Sequence, residues 1–212
     1  MLLSIINLKL SVMLAVAAVW SLLGCEELSE MGDWRDYLDG NSSENGGDTN
    51  DEGEPPPLET VAAVDLGRYV GTWYEIAAFP QRFQAGCTGT TATYTLRDDG
   101  DIDVLNRCFI GSLSGEEDVS QGVARVVNSE TNAELEVSFF RPFWGDYWII
   151  DLDPEYRYAV VGAPGRDYLW ILSRTPTMEE AVYEGILDRI LEKDYSLDRL
   201  EKTIQFTAAD GE

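Results

Sequence analysis

From Val61 onward, hydrophobic and polar positions alternate in short runs broken by turn residues. Tyr69–Ala77, Thr90–Leu96, Ile102–Cys108, Ser120–Val127, Ala133–Phe140, Tyr147–Leu152, Tyr158–Gly162 and Tyr168–Ser173 make eight predicted strands. Within the fifth, Leu135, Val137 and Phe139 fall on one face and Glu134, Glu136 and Ser138 on the other. Short strands at this spacing, with turns such as Asp98-Asp99-Gly100-Asp101, predict an antiparallel sandwich or barrel. The period then changes. Thr177 with Glu180 has the form of a capping box, and Val182, Ile186, Leu187 and Ile190 recur at helical spacing. A helix ending near Lys193-Asp194 is expected, with a last short strand over Thr203–Phe206.

Before Val61 the pattern changes twice. Residues 1–24 carry one cation, Lys9, and an apolar run closing on Gly24, the shape of an export signal. Leu22-Leu23-Gly24-Cys25 resembles the bacterial lipobox, which implies lipidation of Cys25. A plain membrane anchor, or a signal cut elsewhere, is the other reading. Glu26 rather than Asp after the cysteine favours outer-membrane placement in such lipoproteins. Residues 25–60 hold twelve acids against Arg35 alone, with Gly, Ser, Asn and Pro55-Pro56-Pro57 between them. Such a stretch buries too little apolar surface to offset chain entropy, so a disordered tether is expected, with the folded domain over residues 61–212.

The formal charge of the 212-residue chain is -24, which argues against a nucleic-acid partner because phosphate binding needs a basic face. No histidine is present, which removes imidazole bases and His-ligated metals; no metal and no cofactor are expected.

Gly71-Thr72-Trp73-Tyr74-Glu75-Ile76-Ala77, Asp153-Pro154-Glu155-Tyr156-Arg157-Tyr158 and Leu169-Trp170-Ile171-Leu172-Ser173-Arg174 resemble, in order, the three lipocalin motifs. The runs Ala92–Gly100 and Val137–Asp153 are similar to the bacterial lipocalins related to apolipoprotein D. The resemblance implies an all-β fold, an eight-stranded up-and-down barrel closed at one end, followed by a C-terminal α-helix. It implies that Trp73 plugs the closed end under the Arg174 guanidinium, with Gly71 letting backbone come close. Alternating the strands from that anchor puts Phe79–Cys87, Phe109–Asp118, Arg141–Asp146 and Ala163–Asp167 around the open mouth.

Three cysteines occur. With Cys25 lipidated, Cys87 and Cys108 remain. Pairing Leu96 with Ile102 puts Cys108 opposite about Thr90, three residues from Cys87, so a bridge pinning the first mouth loop is expected; two free thiols are the alternative.

Inward positions should include Ala92, Tyr94, Leu135, Val137, Phe139, Tyr147, Ile149, Trp170 and Leu172. The resemblance implies that Tyr147 and Trp170 line an acyl pocket near the ligand's polar end, and Tyr94 and Phe139 join them as lining residues. Arg82, Arg141 and Arg166 are rim cations for a head group. The expected function is a membrane-anchored carrier or store of a hydrophobic ligand, a fatty acid or lysophospholipid, in the cell envelope. A homodimer is left open. A structural or adhesive surface lipoprotein is the alternative. A lipocalin-fold enzyme using Asp151 and Asp153 ranks below both, because Ser173 has no evident base.

Overall fold

A computed structural model of the chain describes residues 55–207. Strands β1 (Gly71–Ala78), β2 (Cys87–Leu96), β3 (Ile102–Ile110), β4 (Glu117–Val126), β5 (Glu134–Phe140), β6 (Phe143–Leu152), β7 (Tyr158–Gly162) and β8 (Leu169–Ser173) pair antiparallel in sequence order. β1 then pairs with β8 on one side and β2 on the other, closing the barrel. Closure removes the open sheet edges that would otherwise template aggregation.

Alternation sorts the apolar residues into two clusters. The inner one holds Trp73, Tyr94, Val104, Leu135, Ile149 and Leu172. The outer one lies between the barrel wall and helix α2 (Glu180–Leu191), and joins Ala77, Ile150, Val160 and Ile171 to Tyr183, Ile186 and Ile190. β7 therefore reads as a continuous apolar run: Val161 faces the interior and Val160 faces the helix.

Several boundaries differ from expectation, each for a local reason. Tyr69 does not begin a strand. Leu66–Tyr69 forms one helical turn, α1, because Asp65 Oδ1 accepts from the Gly67 and Arg68 amides. β1 starts only at Gly71, whose φ of 97° is left-handed. β2, β3, β4 and β6 run further toward the mouth than the apolar alternation reaches, because ladder pairing continues through polar residues such as Glu117 and Asp118.

The capping box does not form. The Thr175 hydroxyl donates to the Thr177 carbonyl in a separate turn, and the helix starts later, with Glu179 as an N-cap that makes no side-chain bond. The buried stripe centres on Tyr183 rather than Val182, and Lys193-Asp194 lie in turns beyond the last helical residue.

The last strand, β9, is Glu201–Lys202, earlier and shorter than Thr203–Phe206. It pairs with Ala77 and Ala78 of β1. Past it the chain enters the seam where β1 and β2 splay: the Thr203 amide donates to Ile76 and the Gly89 amide to Ile204. The Gln205 amide side chain then bonds the carbonyls of both Glu75 and Thr90.

The folded region also begins before Val61. Leu58 is buried under the helix, and Arg166 Nη2 donates to the Pro56 carbonyl. The proline-rich end of the expected tether is thus packed on the barrel. Cys25, residues 1–24 and the tether up to Glu54 lie outside the described residues.

Candidate functional site

The barrel interior is a cavity of about 680 Å³, open at one end. That is within the ~300–1,000 Å³ of sites that enclose a small organic molecule.

The opposite end is sealed. Trp73 is fully buried, and its indole N–H donates to the Tyr69 carbonyl at 2.8 Å. The Arg174 guanidinium lies 3.7 Å from the Trp73 ring centroid and donates to the carbonyls of Thr72, Arg68, Tyr69 and Val70. A Cβ on Gly71 would stand 3.3 Å from Arg174 Nη1, on a backbone already left-handed, so glycine is required there. Beside this plug, Asp153 accepts from the amides of Glu155 and Arg157 and from the Arg157 guanidinium, which holds its carboxyl below the usual range. Asp151 pairs with Arg189 on α2. Both acids weighed as an acid–base pair are therefore engaged in ion pairs.

Above the plug sits a cluster of three tyrosines. Tyr147 Oη lies 2.8 Å from Tyr69 Oη and 2.9 Å from Tyr94 Oη. Burial pushes all three hydroxyls up, Tyr94 to about 12, so each keeps its proton at neutral pH. Tyr69 also packs on Trp73, with ring centroids 5.1 Å apart, so the cluster forms the cavity floor. Tyr147 thus presents its hydroxyl to the deep end, not to the mouth. Tyr69 lies in the α1 turn rather than in a strand, and the signal for it is Asp65 three residues before Arg68, an N-cap spacing.

Trp170, Val137, Leu172 and Phe139 line the cavity higher up. Trp170 stacks on Tyr168 at 5.7 Å. The Phe139 ring lies over Gly122, where a Cβ would come within 2.9 Å of it. Any larger residue there would push the ring aside. Phe139 is 44% exposed, and the β5–β6 register shifts between Val137 and Phe140, next to it.

The rim cations do not converge on the cavity. Arg82, in a short 3-10 turn (Arg82–Gln84), is exposed and outside the lining. Arg141 is exposed beside Trp144, 5.7 Å from its ring centroid. Arg166 is committed to the carbonyls of Lys193 and Pro56. Arg107 is the cation that borders the cavity, and it pairs with Glu117 at 3.1 Å. Phe83, Phe140 and Phe143 stand exposed around the mouth.

Glu75 was not singled out by its sequence context, yet it is 5% exposed and lines the cavity. It shares strand parity with Trp73, which could have placed it inward. Its carboxylate accepts from Gln84 Nε2 and Thr203 Oγ1, each at 2.6 Å. Burial raises its pKa, and those two hydrogen bonds only partly oppose the shift. A raised carboxyl favours folding while protonated. Stability therefore falls as pH rises from the ordinary value of 4.5 toward the folded one. Glu75→Gln lacks this loss, so its stability relative to the wild type should climb through that window and then level. Urea unfolding at stepped pH checks it; a constant difference between about pH 4 and 8 would refute the assignment.

The bridge between Cys87 and Cys108 is formed, with Cα atoms 5.4 Å apart, just above this wall. The β2–β3 register slips between Thr88 and Thr91, so Gly89 and Thr90 together stand opposite Cys108, as expected, and Cys87 stands opposite Ile110.

Comparison with known proteins agrees with this architecture. A family model described as a lipocalin-like domain matches residues 64–205. The chain is 49% identical over 136 residues to the outer membrane lipoprotein Blc of Escherichia coli K12, covering 63% of this chain and 76% of the relative. It is 40% identical over 161 residues to temperature-induced lipocalin-1 of Arabidopsis thaliana, covering 72% and 85%. Among solved structures, insecticyanin from Manduca sexta matches with a TM-score of 0.58 at 20% identity, over 74% of this chain and 89% of that one.

Proposed function

The chain belongs to the lipocalin family, and on that premise we propose that it is a lipid-anchored envelope protein whose barrel holds the acyl chain of a fatty acid or lysophospholipid. The cavity carries this reading: about 680 Å³, deep, open at one end, with Val137, Phe139, Trp170 and Leu172 along one wall. Tyr147, Trp170, Tyr94 and Phe139 are the residues proposed to touch the chain. Burying about sixteen carbons at roughly 0.8 kcal/mol each gives on the order of 12 kcal/mol. Association and ordering take several kcal/mol back, leaving roughly micromolar affinity. Leu22-Leu23-Gly24-Cys25, together with relatives titled outer membrane lipoproteins, supports anchoring through Cys25 in the outer membrane, with residues 25–55 as tether.

Charge favours lysophospholipid over fatty acid. Of 39 acidic and 15 basic residues, twelve acids and two bases precede Val61, leaving a net of −14 on the rest. Such a field lowers the local concentration of anions, most at low salt. Lysophosphatidylethanolamine should therefore bind more tightly than palmitate at low ionic strength, with the gap narrowing as salt rises. Quenching of Trp170 in delipidated protein, with Trp170→Phe as control, measures both. Equal affinities at low salt would end the charge argument. Failure of every acyl ligand to bind would overturn the carrier reading in favour of an adhesive lipoprotein.

A further inference from the structure

The cavity has two chemically different walls. β5–β8 supply Leu135, Val137, Phe139, Trp170 and Leu172. Facing them, β1–β3 supply Glu75, Thr90 and Asn106. The register pairs Tyr74 with Thr91, and Ala92 with both Trp73 and Asn106, so these three residues occupy adjacent strands at nearly one level. That level lies above the tyrosine floor and below the Cys87–Cys108 bridge.

Of these three residues, Glu75 carries the charge. Thr90 is 8% exposed, and its Oγ1 is buried with no hydrogen-bond partner. Asn106 Oδ1 is likewise buried and unpartnered. The Glu75 carboxylate has two donors, Gln84 and Thr203, and forms no ion pair among the described residues. A carboxylate accepts about four hydrogen bonds, so Glu75, which lines the cavity, has acceptor positions to spare, whereas the unpartnered oxygens of Thr90 and Asn106 have no accessible surface. An unmet buried acceptor is costly, and an approaching anion would meet Glu75 while Arg107, the cation that borders the cavity, is held by Glu117.

We propose that the β1–β3 wall is a head-group subsite for a long-chain amphiphile that carries a hydrogen-bond donor and no net negative charge, an alkylammonium or a fatty alcohol. The chain lies against the β5–β8 wall while the donor meets Glu75, beside Thr90 and Asn106. An ammonium gains most, because its three donors and its charge both suit Glu75. A hydroxyl gains a hydrogen bond to Glu75 without the charge, and a carboxylate finds donors only on Thr90 and Asn106 while meeting the Glu75 charge. The assignment rests on the carrier reading, but its mechanism is separate from the net-charge field: a buried, short-range contact persists where salt has screened the field.

The test uses delipidated full-length protein with hexadecylamine, hexadecanol and palmitate, titrated at low salt and at about 0.5 M salt, where the Debye length is only a few ångströms. The expected order at high salt is amine, alcohol, palmitate. Glu75→Gln should cut the amine-to-palmitate affinity ratio by about tenfold, as for loss of a charged hydrogen bond. Glu184→Gln removes the same charge from the exposed helix surface and should leave the ratio alone. An unchanged ratio in Glu75→Gln, or an equal fall in Glu184→Gln, would overturn the subsite. Should Glu75→Gln not fold, the wild-type order decides: palmitate binding as tightly as hexadecylamine at about 0.5 M salt rejects the proposal. Binding of all three without discrimination means that water fills the wall, and defeats this inference alone. Binding of none defeats the carrier reading and this one with it.

Discussion

Trp73→Ala should lower the unfolding free energy by about 3–5 kcal/mol, the range for deleting a fully buried large aromatic. Trp73 has no exposed surface, and its ring is the platform on which Arg174 rests at 3.7 Å. Truncation loses the cation–π contact, leaves a void, and strands a half-buried guanidinium whose donors remain tied to the carbonyls of Thr72, Arg68, Tyr69 and Val70. The void cannot readily collapse, because those same bonds fix the turn α1 on the other side. Tyr69 would lose its packing partner, so the cavity floor should loosen as well. Arg174→Ala should cost less, since the ring stays in place and only one side of it opens. Arg174→Lys should keep the charge yet recover little, because an ammonium lacks the planar fork that reaches several carbonyls at once. Urea unfolding followed by far-UV circular dichroism gives the comparison. A loss under about 1 kcal/mol for Trp73→Ala would show that the plug closes the barrel without stabilising it.

The closed end was the most legible part of the chain. Alternation in Leu135–Val137, the apolar run in Tyr158–Gly162 and turn residues such as Asp98–Asp101 mark strands and reversals whose chemistry is local. The paired motifs around Trp73 and Arg174 then set which end is which. The mouth was harder to read, because strands there are held by ladder bonds between polar residues and carry no hydrophobic period, as at Glu117–Ser120. A register slip between Thr88 and Thr91 is likewise invisible to a two-residue alternation. The C-terminal segment was misplaced because its pairing is non-local: Thr203 and Gln205 bond Glu75, which is more than a hundred residues away. For the same reason Glu75 read as an ordinary charged position in a strand. Its burial depends on Gln84 and Thr203 arriving from two other parts of the chain. The placement of the rim arginines was legible only in part. Arg82 and Arg141 lie at the predicted end, but side-chain direction is set by neighbours such as Trp144, and Arg166 is taken up by the Pro56 and Lys193 carbonyls.

Replacing Cys87 and Cys108 together by serine should cost about 3 kcal/mol, which for a domain of this size is a fall of roughly 6–12 °C in Tm. The cysteines are 21 residues apart, and closing a loop of that length is what the bridge removes from the unfolded chain. In the folded chain the bridge is not alone. β2 and β3 pair from Leu96–Ile102 through Cys87–Ile110, the Gly111 amide donates to Gly86, and the Thr88 hydroxyl donates to the Phe109 carbonyl. The mouth loop is held from another side too, by Gln84 on Glu75. Stability and ligand affinity should therefore separate: the double variant unfolds earlier while binding an acyl ligand about as tightly at a temperature where it remains folded. Thermal unfolding and a titration on the same preparation test both halves. An affinity loss as large as the stability loss would mean that the bridge holds the polar wall of Glu75, Thr90 and Asn106 in place, and that its effect lies in the native state rather than in the unfolded chain.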